Sequence, residues 1–234
     1  MQETNTASSK VKLIAKAVLF CSIFTVLFIG LSFFKSLLPG KFERLMHAVA
    51  GTVAAFITTL LFLKFDKAGF ASIGFVFHKT VGKNFFAGLL AGAVLMGLLI
   101  SIIIVASGFK IALNTKSSFL HFILLSLPLI LLAYMEEVAF RGYPLQLLRS
   151  KFNVRSCLLI TSLLFALYHI ANGWTIQNSL LGPGSWGIIF GLAAVYSNGI
   201  SMSTGLHYGV NLTTAAFGAD DSSFNMWILQ QGNG

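Results

Sequence analysis

Two adjacent carboxylates, Glu136 and Glu137, directly follow residues 117–135, a stretch without Asp, Glu, Lys or Arg. An ionised side chain at bilayer depth costs about 2.5–3.5 kcal/mol on insertion scales, and two side by side also repel each other. A chain that keeps such a pair there has a use for it. Residues four apart on a helix lie within about 40° of each other, and residues five apart about 140°. Glu137 therefore shares a face with Arg141 and can pair with it, whereas Glu136 points elsewhere. Three further polar residues fall in apolar stretches: His169, one turn after Phe165, and His207 with Asn211, four apart on one helix face.

These side-chain types can hydrolyse an acyl bond. A carboxylate can take a proton from water and turn it into a nucleophile, and an imidazole can help polarise the same water. Attack on a peptide carbonyl builds an oxyanion, for which imidazole and amide N–H groups are suitable donors. Glu136 with His169 fits the first task, and His207 with Asn211 fits the second. Other peptidase designs fit less well. No H-E-x-x-H zinc pattern occurs, and no G-x-G-D. Ser201 would have its nearest base, His207, on its own helix rather than on a facing one. His47, His78 and His121 lie near span ends or in connections and read as structural residues.

The elements that must position these groups are membrane helices. Of 234 residues, 56% are hydrophobic and only 10% charged. Charged residues usually make up about 25% of a soluble domain. A span needs about 20 mostly apolar residues. Uncharged runs cover 17–34, 45–63, 84–109, 117–135 and 156–219, the last broken near Asn172-Gly173, Gly182-Pro183-Gly184 and Ser197-Asn198-Gly199. The expected fold is a single all-α membrane domain over 1–234, a polytopic transmembrane helix bundle of about seven spans around an internal polar catalytic cavity. The first run lacks a flanking small-residue cleavage site and reads as a span rather than a signal peptide. Cys21 and Cys157 both fall in apolar runs and read as core residues.

The hairpin joining the fourth and fifth spans turns near residues 152–153. Glu136 and His169 are each about sixteen residues from it, which puts them at one depth if both arms are helical. On this reading His169 lies deep in the fifth span. The segment from Asp66 to Lys83 is expected to lie along the membrane surface, and Pro144 to open a second surface helix running to Lys151. Gly88 and Gly92, Gly187 and Gly191, and Gly205 and Gly209 are pairs that let helices approach closely. His207 is about 200° from Gly205 and from Gly209, so that one side of the seventh span can pack while the other faces a cavity.

The net charge of +9 arises in short connections, where basic residues face the cytoplasm and anionic lipid, so it is no argument for nucleic acid. With a cytoplasmic N-terminus, eleven Lys and Arg fall on the inner side and five (Lys35, Lys41, Arg44, Lys110, Lys116) on the outer. The N-terminus is therefore expected inside, and the acidic pair Asp220 and Asp221 outside.

The polar set resembles the CAAX protease and bacteriocin-processing family, also called Abi. Its E-E-x-x-x-R motif is present as Glu136 to Arg141, its F-x-x-x-H motif as Phe165 to His169, and its H-x-x-x-N motif as His207 to Asn211. The similarity covers roughly 85–217, the expected catalytic core. The resemblance implies an intramembrane endopeptidase in which Glu136 and His169 activate water and His207 and Asn211 form the oxyanion hole. Glu137, Arg141 and Phe165 would support them. A metal-free glutamate mechanism with no cofactor is expected, although a Glu/His/His set leaves zinc open as an alternative. Its partners would be the lipid bilayer and a peptide or protein substrate, prenylated or not, in a bacterial plasma membrane. Two other readings remain: a non-catalytic immunity or scaffold protein, which has no need of Glu136 or His169, and a transporter, for which internal repeats are expected and none is seen.

Overall fold

The computed structural model describes residues 2–34, 39, 42–75, 79–218 and 224–230. The helices are α1 (Gln2–Ser32), α2 (Glu43–Asp66), α3 (Val81–Ser107), α4 (Phe119–Ser126), α5 (Pro128–Glu137), α6 (Tyr143–Arg149), α7 (Val154–Ala171), α8 (Ile176–Ser179), α9 (Ser185–Tyr196) and α10 (Ser201–Ala216). A π turn, Val138–Gly142, joins α5 to α6, and another, Leu180–Gly184, joins α8 to α9. The fold is all-α, with one small accessory ribbon. In it β1 (Lys110–Leu113) pairs antiparallel with β2 (Trp227–Gln230), Ile111 opposite Leu229.

Among the described residues, six helical stretches are long and apolar enough to cross a membrane: Ser8–Ser32, Glu43–Asp66, Val81–Ser107, Phe119–Arg149, Val154–Ala171 and Ile176–Tyr196. The seventh expected span, α10, has only 16 residues. At 1.5 Å per residue it is about 24 Å long, short of a ~30 Å hydrocarbon core. Every residue from Ser203 to Val210 is buried. Its polar composition follows from that position, because its neighbours are protein rather than lipid.

The lipid-facing helices show the pattern in reverse. In α1, Ala17, Phe20, Cys21, Phe24 and Phe28 are buried at helical spacing, while Val18, Leu19 and Val26 are exposed. The Phe20 ring stacks on Tyr143, and the Phe24 ring meets Phe140 edge-on. Cys21 and Cys157 are both buried free thiols. Lys16 pairs with Asp66, which also accepts a 2.5 Å hydrogen bond from the Tyr143 hydroxyl. Together they tie α1, the end of α2 and the start of α6 at what we term the N-terminal face of the bundle.

Between α2 and α3 the described residues hold one short 3-10 turn, Phe70–Ile73, and one expectation, the surface helix at Pro144, is corrected. Val76, Phe77 and His78 lie outside the described residues, as do Asp220 and Asp221. A helix does form at Pro144, but it continues the fourth span instead of lying on the surface. Tyr143, Pro144, Leu145 and Leu148 are buried in the bundle. Proline lacks an N–H, and its ring crowds the carbonyl four residues back, here Phe140. The wider π turn accommodates both.

The glycine pairs of α3 and α10 meet within the chain. A Cβ on Gly88 would lie 2.1 Å from the Met202 carbonyl oxygen, and one on Gly92 2.1 Å from that of Leu206. From the other side, Gly205 and Gly209 press on the Phe85 and Leu89 carbonyls, at 2.0 and 2.3 Å from an added Cβ. The obstructing atoms are backbone and cannot swing aside. Gly205→Ala is therefore expected to cost at least about 2 kcal/mol, toward the upper part of the usual overpacking range. The check is thermal unfolding of the purified protein in detergent; an unchanged midpoint would show that α3 and α10 are not held this closely.

Candidate active site

Glu137 and Arg141 are both fully buried. As their spacing predicts, Arg141 Nη1 donates to Glu137 Oε1 at 3.1 Å. Arg141 Nη2 donates to the Gly187 carbonyl, also at 3.1 Å, which brings in α9. The guanidinium lies over the Phe165 ring, 4.4 Å from its centroid. A Cβ on Gly187 would sit 3.2 Å from Arg141 Nη2 and 3.0 Å from Ser162 Oγ, so a glycine there gives the guanidinium its room.

His207 stands between the two carboxylates. Its Nδ1 is 2.9 Å from Glu137 Oε1, and its Nε2 is 3.5 Å from Glu136 Oε2. A carboxylate accepts, so Nδ1 carries a proton toward Glu137. The ring is held flat by Phe190, stacked at 4.2 Å and 16°. Glu137 thus works through its neighbours: it fixes the orientation of His207 and neutralises Arg141.

Glu136, one residue earlier, faces away from that pair, with its side chain 12% exposed. It lines a cavity of about 580 Å³ together with His169, His207 and Asn211. The buried Tyr168 hydroxyl is directed at the Glu136 carboxylate. His169 Nδ1 is 2.9 Å from the Phe165 carbonyl oxygen. A carbonyl only accepts, so this nitrogen is the protonated one in the neutral ring. The Nε2 lone pair is left for another partner. Phe165 therefore serves several site residues: its carbonyl orients His169, its ring carries Arg141, and its ring meets those of His169 at 4.6 Å and His207 at 6.1 Å between centroids.

All seven residues singled out by type and spacing are gathered at this place. Glu136, Phe165, His169, His207 and Asn211 line the cavity, and Glu137 and Arg141 lie beneath it. One detail differs. His169 is in the last turn of α7, not deep in the span. The cavity reaches it because α7 ends early, at Ala171. Four contributors escaped sequence reasoning: Tyr168, Phe190, Trp174 and His47. Trp174 meets the His169 ring at 5.2 Å. His47, read as structural, lines the same cavity and also lies 4.6 Å from the Phe28 ring and 3.3 Å from Ser32 Oγ. His121 is exposed on α4 and lines no described cavity wall with them.

Residues 117–213 match the family described as type II CAAX prenyl endopeptidase, Rce1-like. No curated protein and no solved structure matches the chain. The matched segment contains all three motifs, in order, on the helices that build the cavity. This match over residues 117–213 supports placing the chain with the CAAX protease and bacteriocin-processing family of membrane-embedded proteases.

Proposed function

We propose that this protein is an intramembrane endopeptidase that hydrolyses a peptide bond with water activated by Glu136 and His169. The observation that carries this reading is the convergence of Glu136, His169, His207 and Asn211, from three helices, on one cavity. Glu136 takes one proton of the water, and the free Nε2 of His169 accepts a hydrogen bond from the other. The hydroxide adds to the carbonyl carbon. The resulting oxyanion is met by the Asn211 amide and by Nε2–H of His207. Donation from that nitrogen requires a ring protonated on both sides, since Nδ1–H is engaged with Glu137. Glu136 then returns its proton to the departing amine, and no covalent enzyme intermediate forms.

We take this chemistry as metal-free: a carboxylate and an imidazole suffice to activate the water, and the chelator arm of the test below separates it from a zinc mechanism.

The test is cleavage of a fluorogenic peptide library by protein purified in detergent, including unmodified peptides and prenylated CAAX peptides. Wild type is expected to cleave a subset with or without a chelator. Asn211→Ala is expected to lower kcat by about 10²–10³ with KM little changed, the usual effect of removing one oxyanion donor. Failure of folded wild type to cleave any peptide would count against the peptidase, and loss of cleavage with chelator would count against the metal-free mechanism.

A further inference from the structure

The cavity has a direction. Its floor is made by Glu136, Phe165, Phe190 and His207, above the fully buried Glu137 and Arg141. Its rim is made by Asn172 and Trp174, just past the end of α7, and by His47, in the first turns of α2. Asn172, Gly173 and Trp174 are exposed, Trp174 at 51%. These residues lie at the end of the bundle opposite the N-terminal face where Lys16, Asp66 and Tyr143 meet. A second cavity, about 500 Å³, does open toward the N-terminal face, between Phe75, Val81, Tyr134 and Ser201. It shares no lining residue with the first, so it gives no route to Glu136.

The charges of the chain orient that axis. Arg141, buried beneath the site, drops out of the surface balance. Ten Lys and Arg remain on the N-terminal face: Lys10, Lys12, Lys16, Lys64, Lys67, Lys79, Lys83, Arg149, Lys151 and Arg155. Five lie at sequence positions on the other side. Basic residues in short connections stay on the cytoplasmic side. The cavity is also uncharged apart from Glu136 and its histidines, with Trp174 and Trp186 in its wall and no Lys or Arg among its lining residues. A free substrate carboxylate would find no Lys or Arg there to pair with.

We infer that the active-site cavity opens to the extracytoplasmic side of the membrane and takes an uncharged, apolar peptide segment from that side. The choice of substrate rests on the peptidase reading, but the direction of the opening does not. The two are therefore tested separately.

Cysteine accessibility decides the direction. Both native cysteines are buried, so the wild-type chain supplies the low-background control. Trp174→Cys, with Gln177→Cys exposed on α8 just past it, reports on the rim, and Ser150→Cys, exposed at the end of α6, on the other face. Intact bacterial cells expressing each full-length variant are treated with a membrane-impermeant maleimide, before and after permeabilisation. The rim cysteines are expected to label equally in both conditions, and Ser150→Cys only after permeabilisation. The reverse pattern, labelling of all three in intact cells, or no labelling of either rim cysteine even after permeabilisation would each overturn the proposal. Substrate access is then read from a quenched apolar peptide added outside intact cells. It should be cleaved by cells making wild type and not by cells making Glu136→Gln. Labelling as expected with no cleavage by either would leave the direction standing and overturn the substrate half.

Discussion

Glu136→Gln is expected to lower kcat/KM for any cleaved peptide by about 10²–10⁴, the range spanned by general-base catalysis, and to leave folding nearly unchanged. The two halves of this expectation come from one piece of geometry. The Glu136 carboxylate faces the cavity, and its ion-pair partner among the described residues is His207 Nε2, at a loose 3.5 Å. An amide of the same size can keep a hydrogen bond from the Tyr168 hydroxyl, because its carbonyl oxygen still accepts. It cannot take a proton from water. The measurement is steady-state cleavage by purified protein, with thermal unfolding recorded in the same detergent. A variant that kept more than about a tenth of wild-type activity would remove Glu136 from the role of base.

Arg141→Ala should behave in the opposite way, failing first in stability. Removing one partner of a fully buried ion pair costs about 3–5 kcal/mol, since the remaining charge is left in a medium that cannot solvate it. Here the loss reaches further than Glu137. The Gly187 carbonyl loses its donor, the Phe165 ring loses the cation above it, and Glu137 Oε1 keeps its bond to His207 but loses the guanidinium. Arg141→Lys should recover only part of this, because one ammonium cannot present the planar fork that reaches Glu137 and Gly187 together. The double variant Glu137→Gln/Arg141→Met removes both charges and should be more stable than Arg141→Ala alone. Unfolding midpoints of the four proteins in one detergent provide the comparison. A drop below about 1 kcal/mol for Arg141→Ala would mean that water reaches this pair and that it does not hold the site.

The parts of the site that share a helix were legible from spacing. Glu137 and Arg141 are one turn apart and pair. His207 and Asn211 are one turn apart and face one cavity, with Gly205 and Gly209 on the other side packing against α3. Those relations follow from the helical period alone. What spacing could not give was the contact between helices. Phe190 stacks on His207 and Tyr168 approaches Glu136, but on an apolar span either ring could equally have faced lipid. His47 follows the same logic. Near a span end it carried no neighbour in sequence to mark it, and the packing of α2 beside α1 brings it to the rim. The placement of His169 was misread because an uncharged run continues past Ala171, and only the turn at Asn172-Gly173 ends the helix. Likewise Pro144 announced a helix start, whereas the π turn before it let one span continue through.

The contact between α3 and α10 sets more than a distance. Two smooth helices can slide past each other by any amount, and a functional group carried on one would then drift in depth. Here the interlocking units on both helices repeat every four residues, Gly88 and Gly92 against the Met202 and Leu206 carbonyls, and Gly205 and Gly209 against those of Phe85 and Leu89. The pair behaves like a toothed rack. Its next matching position is one full tooth away, about 6 Å along the axis, and every intermediate position sets Cα hydrogens against carbonyls out of phase. His207 and Asn211 therefore inherit a discrete altitude in the membrane from residues that never touch the substrate.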